Sequence, residues 1–231
     1  MSEESPMPEL LDCVELQTHP DPKYVVLWLH GLGADGYDFV PVVRELELAG
    51  APPARYVFPH APEIPVTINS GYVMRAWYDV FGTELERHGK NEDDARIRAS
   101  AAAVERLIER EGTRGVPRSR LVLAGFSQGG AITLHAGMRA AEPLAGMLAL
   151  STYLPVADRA EAEATPESRR IPIFMAHGTA DPVIPLARST VSRDRLKALG
   201  YAVEWHEYPM QHSVNADEVR AIAAFLKRVL V

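Results

Sequence analysis

The stretch Gly125-Phe126-Ser127-Gln128-Gly129 could present a nucleophile. It follows the apolar run Leu121-Val122-Leu123-Ala124 and leads at once into an Ala-rich amphipathic segment. A strand that ends in a strained Gly-x-Ser-x-Gly turn and passes straight into a helix lifts the serine hydroxyl above the edge of a sheet. Any short Gly/Ser turn matches the bare pattern, and the flanking strand and helix are what set this one apart. Gly125 and Gly129 suit a turn in which strand and helix approach too closely for a Cβ. The helix also aims its free N–H groups and the positive end of its dipole at the serine. The chemistry this allows is attack on a carbonyl carbon, but a serine hydroxyl needs a base, and the base needs an acid to orient it.

On such a turn the acid and then the histidine follow the serine along the chain. Four histidines qualify: His135, His177, His206 and His212. His135 lies about two helical turns beyond the serine and is carried away from it. His177 comes before the best acid. His206 shares a face of the alternating run 201–208 with Glu204 and Tyr208, as a solvated edge residue does. His212 falls in a loop between that run and the last helix, and is the predicted base. Asp181, in Gly178-Thr179-Ala180-Asp181-Pro182, follows the apolar run 171–177 and is the predicted acid. Asp158 is the runner-up, and a turn or helix-cap role is the alternative for Asp181.

Gly31-Leu32-Gly33-Ala34-Asp35-Gly36 also matches the G-x-G-x-x-G dinucleotide fingerprint. That reading fails, because no acid ends the next strand to hold a ribose hydroxyl. Asp35 and Asp38 would also repel a pyrophosphate. The better reading is a turn that presents the N–H of Leu32 to the serine site. The N–H of Gln128, directly after the nucleophile, is the second donor of an oxyanion hole. No two histidines stand at ligand spacing on one element, so no metal site is expected.

The elements that must position these groups alternate along the chain. Predicted strands lie at 14–18 (a short edge strand), 24–29, 55–59, 121–126, 144–150, 171–178 and 201–208. Predicted helices lie at 37–48, 92–111, from the serine to 141, at 186–199 and at the C-terminus. In 92–111, Ile97, Ala101, Val104 and Ile108 fall at spacings of four, three and four, an amphipathic stripe. Val219, Ile222, Leu226 and Val229 form another. Continuous apolar strands between helices imply a mostly parallel sheet covered on both faces. The connection 153–170 is polar, with room for one helical turn. Residues 60–82 read as a long, Pro-rich, irregular loop, and long loops without periodicity are more often functional than filler. Residues 1–8 read as a loose tail, and nothing else splits the chain, so 1–231 is expected to be a single domain.

Composition narrows the classes further. The chain has 231 residues, 47% hydrophobic, with a formal net charge of −7. An acidic surface of this kind repels nucleic acid. Cys13 is the one cysteine, so no intrachain disulfide forms and an ordinary thiol is expected. The acidic, Pro-containing start is unlike a signal peptide, and no apolar run approaches a membrane span. A soluble cytoplasmic protein without stable membrane insertion is the resulting expectation, with a homodimer retained as an assembly to test.

Together these residues resemble the bacterial carboxylesterase and acyl-protein thioesterase family, of the phospholipase/carboxylesterase type of α/β-hydrolase. The resemblance runs from about Val25 to the C-terminus. It rests on His30-Gly31-Leu32-Gly33, Phe58-Pro59-His60-Ala61-Pro62, Ala76-Trp77-Tyr78-Asp79, the Ser127 turn, Leu150-Ser151-Thr152-Tyr153-Leu154-Pro155, His177-Gly178 with Asp181-Pro182, and Tyr208-Pro209-Met210-Gln211-His212. It implies an α/β-hydrolase fold with a minimal cap formed by a loop, Ser127, Asp181 and His212 as a triad, Leu32 and Gln128 as oxyanion donors, and no cofactor. It implies a small acyl ester or thioester substrate of short to medium chain length, with acyl-protein and lysophospholipid substrates as candidates. It also implies that the loop carrying Trp77 and Tyr78 forms part of the acyl pocket. One departure is visible: Arg75 and Ala76 stand where relatives usually read Pro-Ser, which frees φ and adds a charge. A non-catalytic binding module on the same fold and a serine peptidase are the competing readings. The intact set of catalytic residues disfavours the first, and nothing in the sequence supplies a site for a peptide terminus in the second.

Overall fold

The computed structural model describes residues 10–82 and 92–231. The tail expected at 1–8 lies outside the described residues. The main sheet has seven strands in the order β1-β3-β2-β6-β7-β8-β9. They are β1 (Cys13–Gln17), β2 (Val25–Leu29), β3 (Arg55–Pro59), β6 (Leu121–Phe126), β7 (Gly146–Leu150), β8 (Ile173–Gly178) and β9 (Val203–Tyr208). Only β1 runs antiparallel, on the β3 edge, and the other pairings are parallel.

The unbroken apolar strands follow from this topology, because alternate residues feed two separate cores. Leu27, Leu29, Leu123, Met147 and Met175 pack beneath α2 (Asp94–Thr113), α3 (Gln128–Gly137) and α5 (Leu186–Ala198). Val26, Trp28, Ala124, Leu148 and Phe174 pack on the opposite face beneath α1 (Val40–Leu48) and α6 (Ala216–Val229). The predicted stripes do this packing: Ile97, Val104 and Ile108 from α2, and Val219, Ile222 and Leu226 from α6, are all buried. The Asp93 side chain caps α2 through the Arg96 N–H, and Asn215 caps α6 through the Glu218 N–H.

Several boundaries differ from the sequence expectation. Helix α1 starts at Val40 rather than at 37, with a proline in its first turn, where a missing N–H costs no hydrogen bond. Helix α3 stops at Gly137 rather than 141, and Arg139 donates to the His135 carbonyl at that end. The helical turn expected in 153–170 is α4 (Ala160–Glu163).

The larger correction concerns 60–82. This segment is built around an antiparallel hairpin, β4 (Glu63–Val66) with β5 (Tyr72–Arg75), in register Ile64 with Met74 and Val66 with Tyr72. Ile64 and Val66 are buried while Glu63 and Pro65 are exposed, an alternation only four residues long and interrupted by proline. The cap over the sheet is therefore an ordered ribbon. Its turn is pinned by Asp79, which accepts from the Thr67 N–H at 2.8 Å and the Thr67 hydroxyl at 2.6 Å.

The strand order reverses between β2 and β6, since the chain leaves β2 toward β3 and leaves β6 toward β7. In an open parallel sheet the crevice forms at the carboxyl ends of the two strands where that reversal occurs. Here those ends carry His30-Gly31-Leu32 and Ser127. No helix among the described residues is long and apolar enough to cross a membrane.

Candidate active site

Ser127 sits at the top of β6 with φ 54° and ψ −119°, a conformation that costs energy in any non-glycine residue. The surroundings over-determine it. Its N–H donates to the Leu150 carbonyl at 2.8 Å, and its carbonyl accepts the Thr152 hydroxyl at 2.6 Å and the Ala131 N–H at 3.1 Å. A Cβ on Gly125 would lie 2.3 Å from Gly129 backbone, and one on Gly129 would lie 2.4 Å from the Leu29 carbonyl oxygen, so both positions require glycine. Although Ser127 is the N-cap of α3, its side chain makes no capping hydrogen bond. The hydroxyl is thus left for other work.

Asp181 and His212 arrive on neighbouring loops that continue β8 and β9. Those loops are joined by Thr179 N–H to the Tyr208 carbonyl at 2.8 Å and Ala180 N–H to the Met210 carbonyl at 3.1 Å. Asp181 Oδ1 accepts the N–H groups of Val183 and Ile184 at 2.8 and 3.0 Å. Its other oxygen, Oδ2, meets His212 Nδ1 at 2.6 Å. His212 is the corner of a tight turn closed by Ser213 N–H to the Gln211 carbonyl at 2.9 Å. Its ring lies against Phe126, the residue before the serine, with centroids 4.7 Å apart.

The other candidates fall elsewhere. Asp158 is exposed in the turn before α4. His135 is buried in α3, and burial pushes its pKa down to about 3. His206 is half-buried on edge strand β9, bonded to Glu204 at 2.8 Å and stacked on Phe174. His177 is fully buried behind the acid: its Nε2 lies 2.9 Å from the Ile184 carbonyl and 3.4 Å from Asp181 Oδ2, and burial lowers its pKa. Cys13 sits on β1, where burial raises its thiol to about 11 against the opposing pull of Arg110.

A cavity of about 420 Å³ opens beside Ser127, Gln128 and Leu32. Its walls are mainly apolar: Ile68 and Val80 on the hairpin side, Val183 and Ile184 on the side of the acid loop, with Tyr78 and Tyr153 between. The Tyr78 and Tyr153 hydroxyls are 2.8 Å apart. Trp77, expected in the pocket wall, does not line the cavity. It is buried in the core at 1% exposure, because both its polar groups are used inside. Its N–H donates to Gln128 Oε1 at 2.8 Å and its indole N–H to the His30 carbonyl at 2.9 Å. Arg75 also turns away from the cavity, donating to the Ala61 carbonyl at 2.8 Å, so its charge is spent on the hairpin base.

Sequence reasoning assigned no role to His30 or Thr152. His30 is buried, with Nδ1 on the Gly31 carbonyl at 2.7 Å and Nε2 accepting the Ala61 N–H at 3.0 Å. Burial pushes its pKa down to about 4, so it is a neutral strut for the Leu32 turn.

The sheet order, the strained serine between β6 and α3, and the acid and histidine on the loops after β8 and β9 define an α/β-hydrolase. Comparison with known proteins specifies it further. The phospholipase/carboxylesterase family model matches residues 12–230, and the chain belongs to that family. Acyl-protein thioesterase 1 of Neurospora crassa is 42% identical over 207 residues, covering 87% of this chain and 84% of its own. Among solved structures, Arabidopsis thaliana SOBER1 aligns with a TM-score of 0.81 at 31% identity, over 90% of this chain and 99% of its own. Zea mays acyl-protein thioesterase 2 aligns with a TM-score of 0.83 at 27% identity, over 95% and 99%. The protein is accordingly a hydrolase of carboxylic esters or thioesters.

Proposed function

We propose that Ser127 is the nucleophile, His212 its base and Asp181 the acid that orients the base. The observation that carries this reading is the 2.6 Å contact between His212 Nδ1 and Asp181 Oδ2, beside a serine held in a strained turn. With Asp181 as acceptor, Nδ1 carries the proton and Nε2 is left to take the Ser127 proton as its oxygen attacks the acyl carbon. The N–H groups of Leu32 and Gln128 receive the oxyanion that develops. The protonated His212 then returns its proton to the departing alkoxide or thiolate, leaving acyl-Ser127. Water activated by the same imidazole releases the carboxylic acid. No metal or cofactor has a part in this cycle.

The acyl chain lies in the cavity walled by Ile68, Val80, Val183 and Ile184. That wall suits short- to medium-chain acyl groups, with the alcohol or thiol portion outward. The acyl-protein thioesterase names of the relatives support S-acylated proteins as candidate substrates, and lysophospholipids fit the same chemistry. One catalytic domain without a nucleic-acid partner, a cytoplasmic location and a homodimer complete the proposal. The test is covalent labelling with a small fluorophosphonate, alongside turnover of ester and thioester panels. Ser127→Ala is expected to lose labelling altogether, and turnover by several orders of magnitude, with its circular dichroism spectrum unchanged. Near-parental turnover by that variant would refute the serine mechanism.

A further inference from the structure

Gln128 faces two ways. Its backbone N–H stands at the first turn of α3 as one proposed oxyanion donor, while its side chain points into the protein, the residue being 5% exposed. There the carboxamide is used at both ends. Oε1 accepts the Trp77 N–H at 2.8 Å, and Nε2 donates to the Tyr78 carbonyl at 2.7 Å. The two bonds grip the main chain of consecutive residues on the segment that returns from β5. Tyr78, the second of them, lines the cavity beside Ser127. Its hydroxyl is tied on the far side to Tyr153, on the segment that follows β7.

We propose that the Gln128 side chain is a positioning residue for acyl selectivity. It fixes the Tyr78 wall at a set distance from the oxyanion donor carried by the same residue. The carbonyl oxygen and the acyl chain of the substrate are thereby gauged from one point. The inference rests on the reading of Ser127 as nucleophile. An amide is the group this grip requires, since one acceptor must meet an N–H and one donor must meet a carbonyl, in that order. A carboxylate of the same length offers an acceptor to both and repels the Tyr78 carbonyl. A protonated carboxyl, with one C=O and one O–H, restores the pattern. Methionine, of similar length, supplies no comparable donor or acceptor.

That chemistry gives a readout that packing alone would not move. The measurement is kcat/KM for acetyl and octanoyl esters, from mildly alkaline to mildly acid pH, in the parent, Gln128→Glu and Gln128→Met, together with melting temperature and fluorophosphonate labelling. In the parent the octanoyl-to-acetyl ratio stays constant with pH, because both esters pass through the same chemical steps and any pH dependence of those steps cancels. In Gln128→Glu the ratio departs from the parental value by about tenfold at alkaline pH and returns toward it on acidification. In Gln128→Met it departs at every pH. A parental ratio in both variants, a ratio in Gln128→Glu that ignores pH, or an equal loss for both esters would overturn the proposal. A parent that fluorophosphonate fails to label would remove the serine mechanism and this inference with it. A labelled parent whose variants keep its ratio would remove this inference alone.

Discussion

At Asp181 each oxygen has a separate task, and that separation makes the residue sensitive to a change of one atom. Oδ1 is committed to two backbone N–H groups, which neither rotate nor titrate, so the carboxylate plane is fixed and Oδ2 faces His212. In Asp181→Asn the amide oxygen remains on those N–H groups and the NH2 is forced toward Nδ1. The imidazole must then accept at Nδ1 and carry its proton on Nε2, where it cannot serve as a base. The expected fall in kcat is about 10⁴, with the melting temperature little changed. Asp158→Asn, at an exposed turn, should leave kcat within about twofold. Steady-state kinetics on the two variants decide the assignment, and reversal of the pattern would give the role to Asp158. Ser127, Asp181 and His212 were legible as candidates in the sequence because an elbow reaction constrains residue type and chain order together. His30 and Thr152 stand within motifs that carry the resemblance, but no role could be read for either. Their roles come from a carbonyl or an N–H that the fold delivers from another element, and a lone buried histidine or threonine carries no local pattern.

The elements around the site explain why Trp77 lies inward and not on the pocket wall that the resemblance implies. An aromatic residue on a Pro-rich segment near the serine has the signature of a pocket wall, yet the hairpin turns Trp77 inward and leaves Tyr78 on the cavity. Strands of four residues with proline inside one of them give too little periodicity to show which side faces in. The long strands of the main sheet and the stripes of α2 and α6 gave enough. Trp77 instead braces the turn after β2, its indole N–H on the His30 carbonyl and its ring 5.4 Å from the His30 ring. Trp77→Phe keeps the main chain that Gln128 grips but leaves that buried carbonyl without its donor. The cost is about 1–3 kcal/mol, seen as a melting temperature lower by several degrees. Because the Leu32 turn loosens for every substrate, kcat/KM should fall by the same factor for acetyl and octanoyl esters. A change in chain-length preference in this variant would return Trp77 to the pocket.

For the molecule as a whole, two cores cover opposite faces of one sheet, and several titratable side chains are buried. They set how stability responds to pH. His30 and His135 are held neutral by burial, with pKa values pushed from 6.5 to about 4 and about 3. The unfolded chain therefore takes up protons first as pH falls below 6.5, and the stability these residues contribute is lost on the way down to those values. For His30 the change amounts to roughly 3 kcal/mol. Glu218 acts in the opposite direction, between about 4.5 and about 8. It is fully buried in the first turn of α6, neither carboxyl oxygen has a hydrogen-bond partner among the described residues, and burial raises its pKa from 4.5 to about 8. Between those values the unfolded chain has released a proton that the native state keeps, so stability falls as pH rises through about 8, by up to about 5 kcal/mol. Glu218→Gln has nearly the same shape and nothing to titrate, and Asn215 still caps the Glu218 backbone N–H at 2.9 Å. The His30 and His135 contributions are common to both proteins, so the melting temperature of the variant relative to the parent is expected to rise across that range, by up to about 10–20 °C at about 2–4 °C for each kcal/mol in a chain of this size. Calorimetry or thermal circular dichroism at a series of pH values measures this, and parallel curves for the two proteins would show that Glu218 is ionised in the native state at neutral pH.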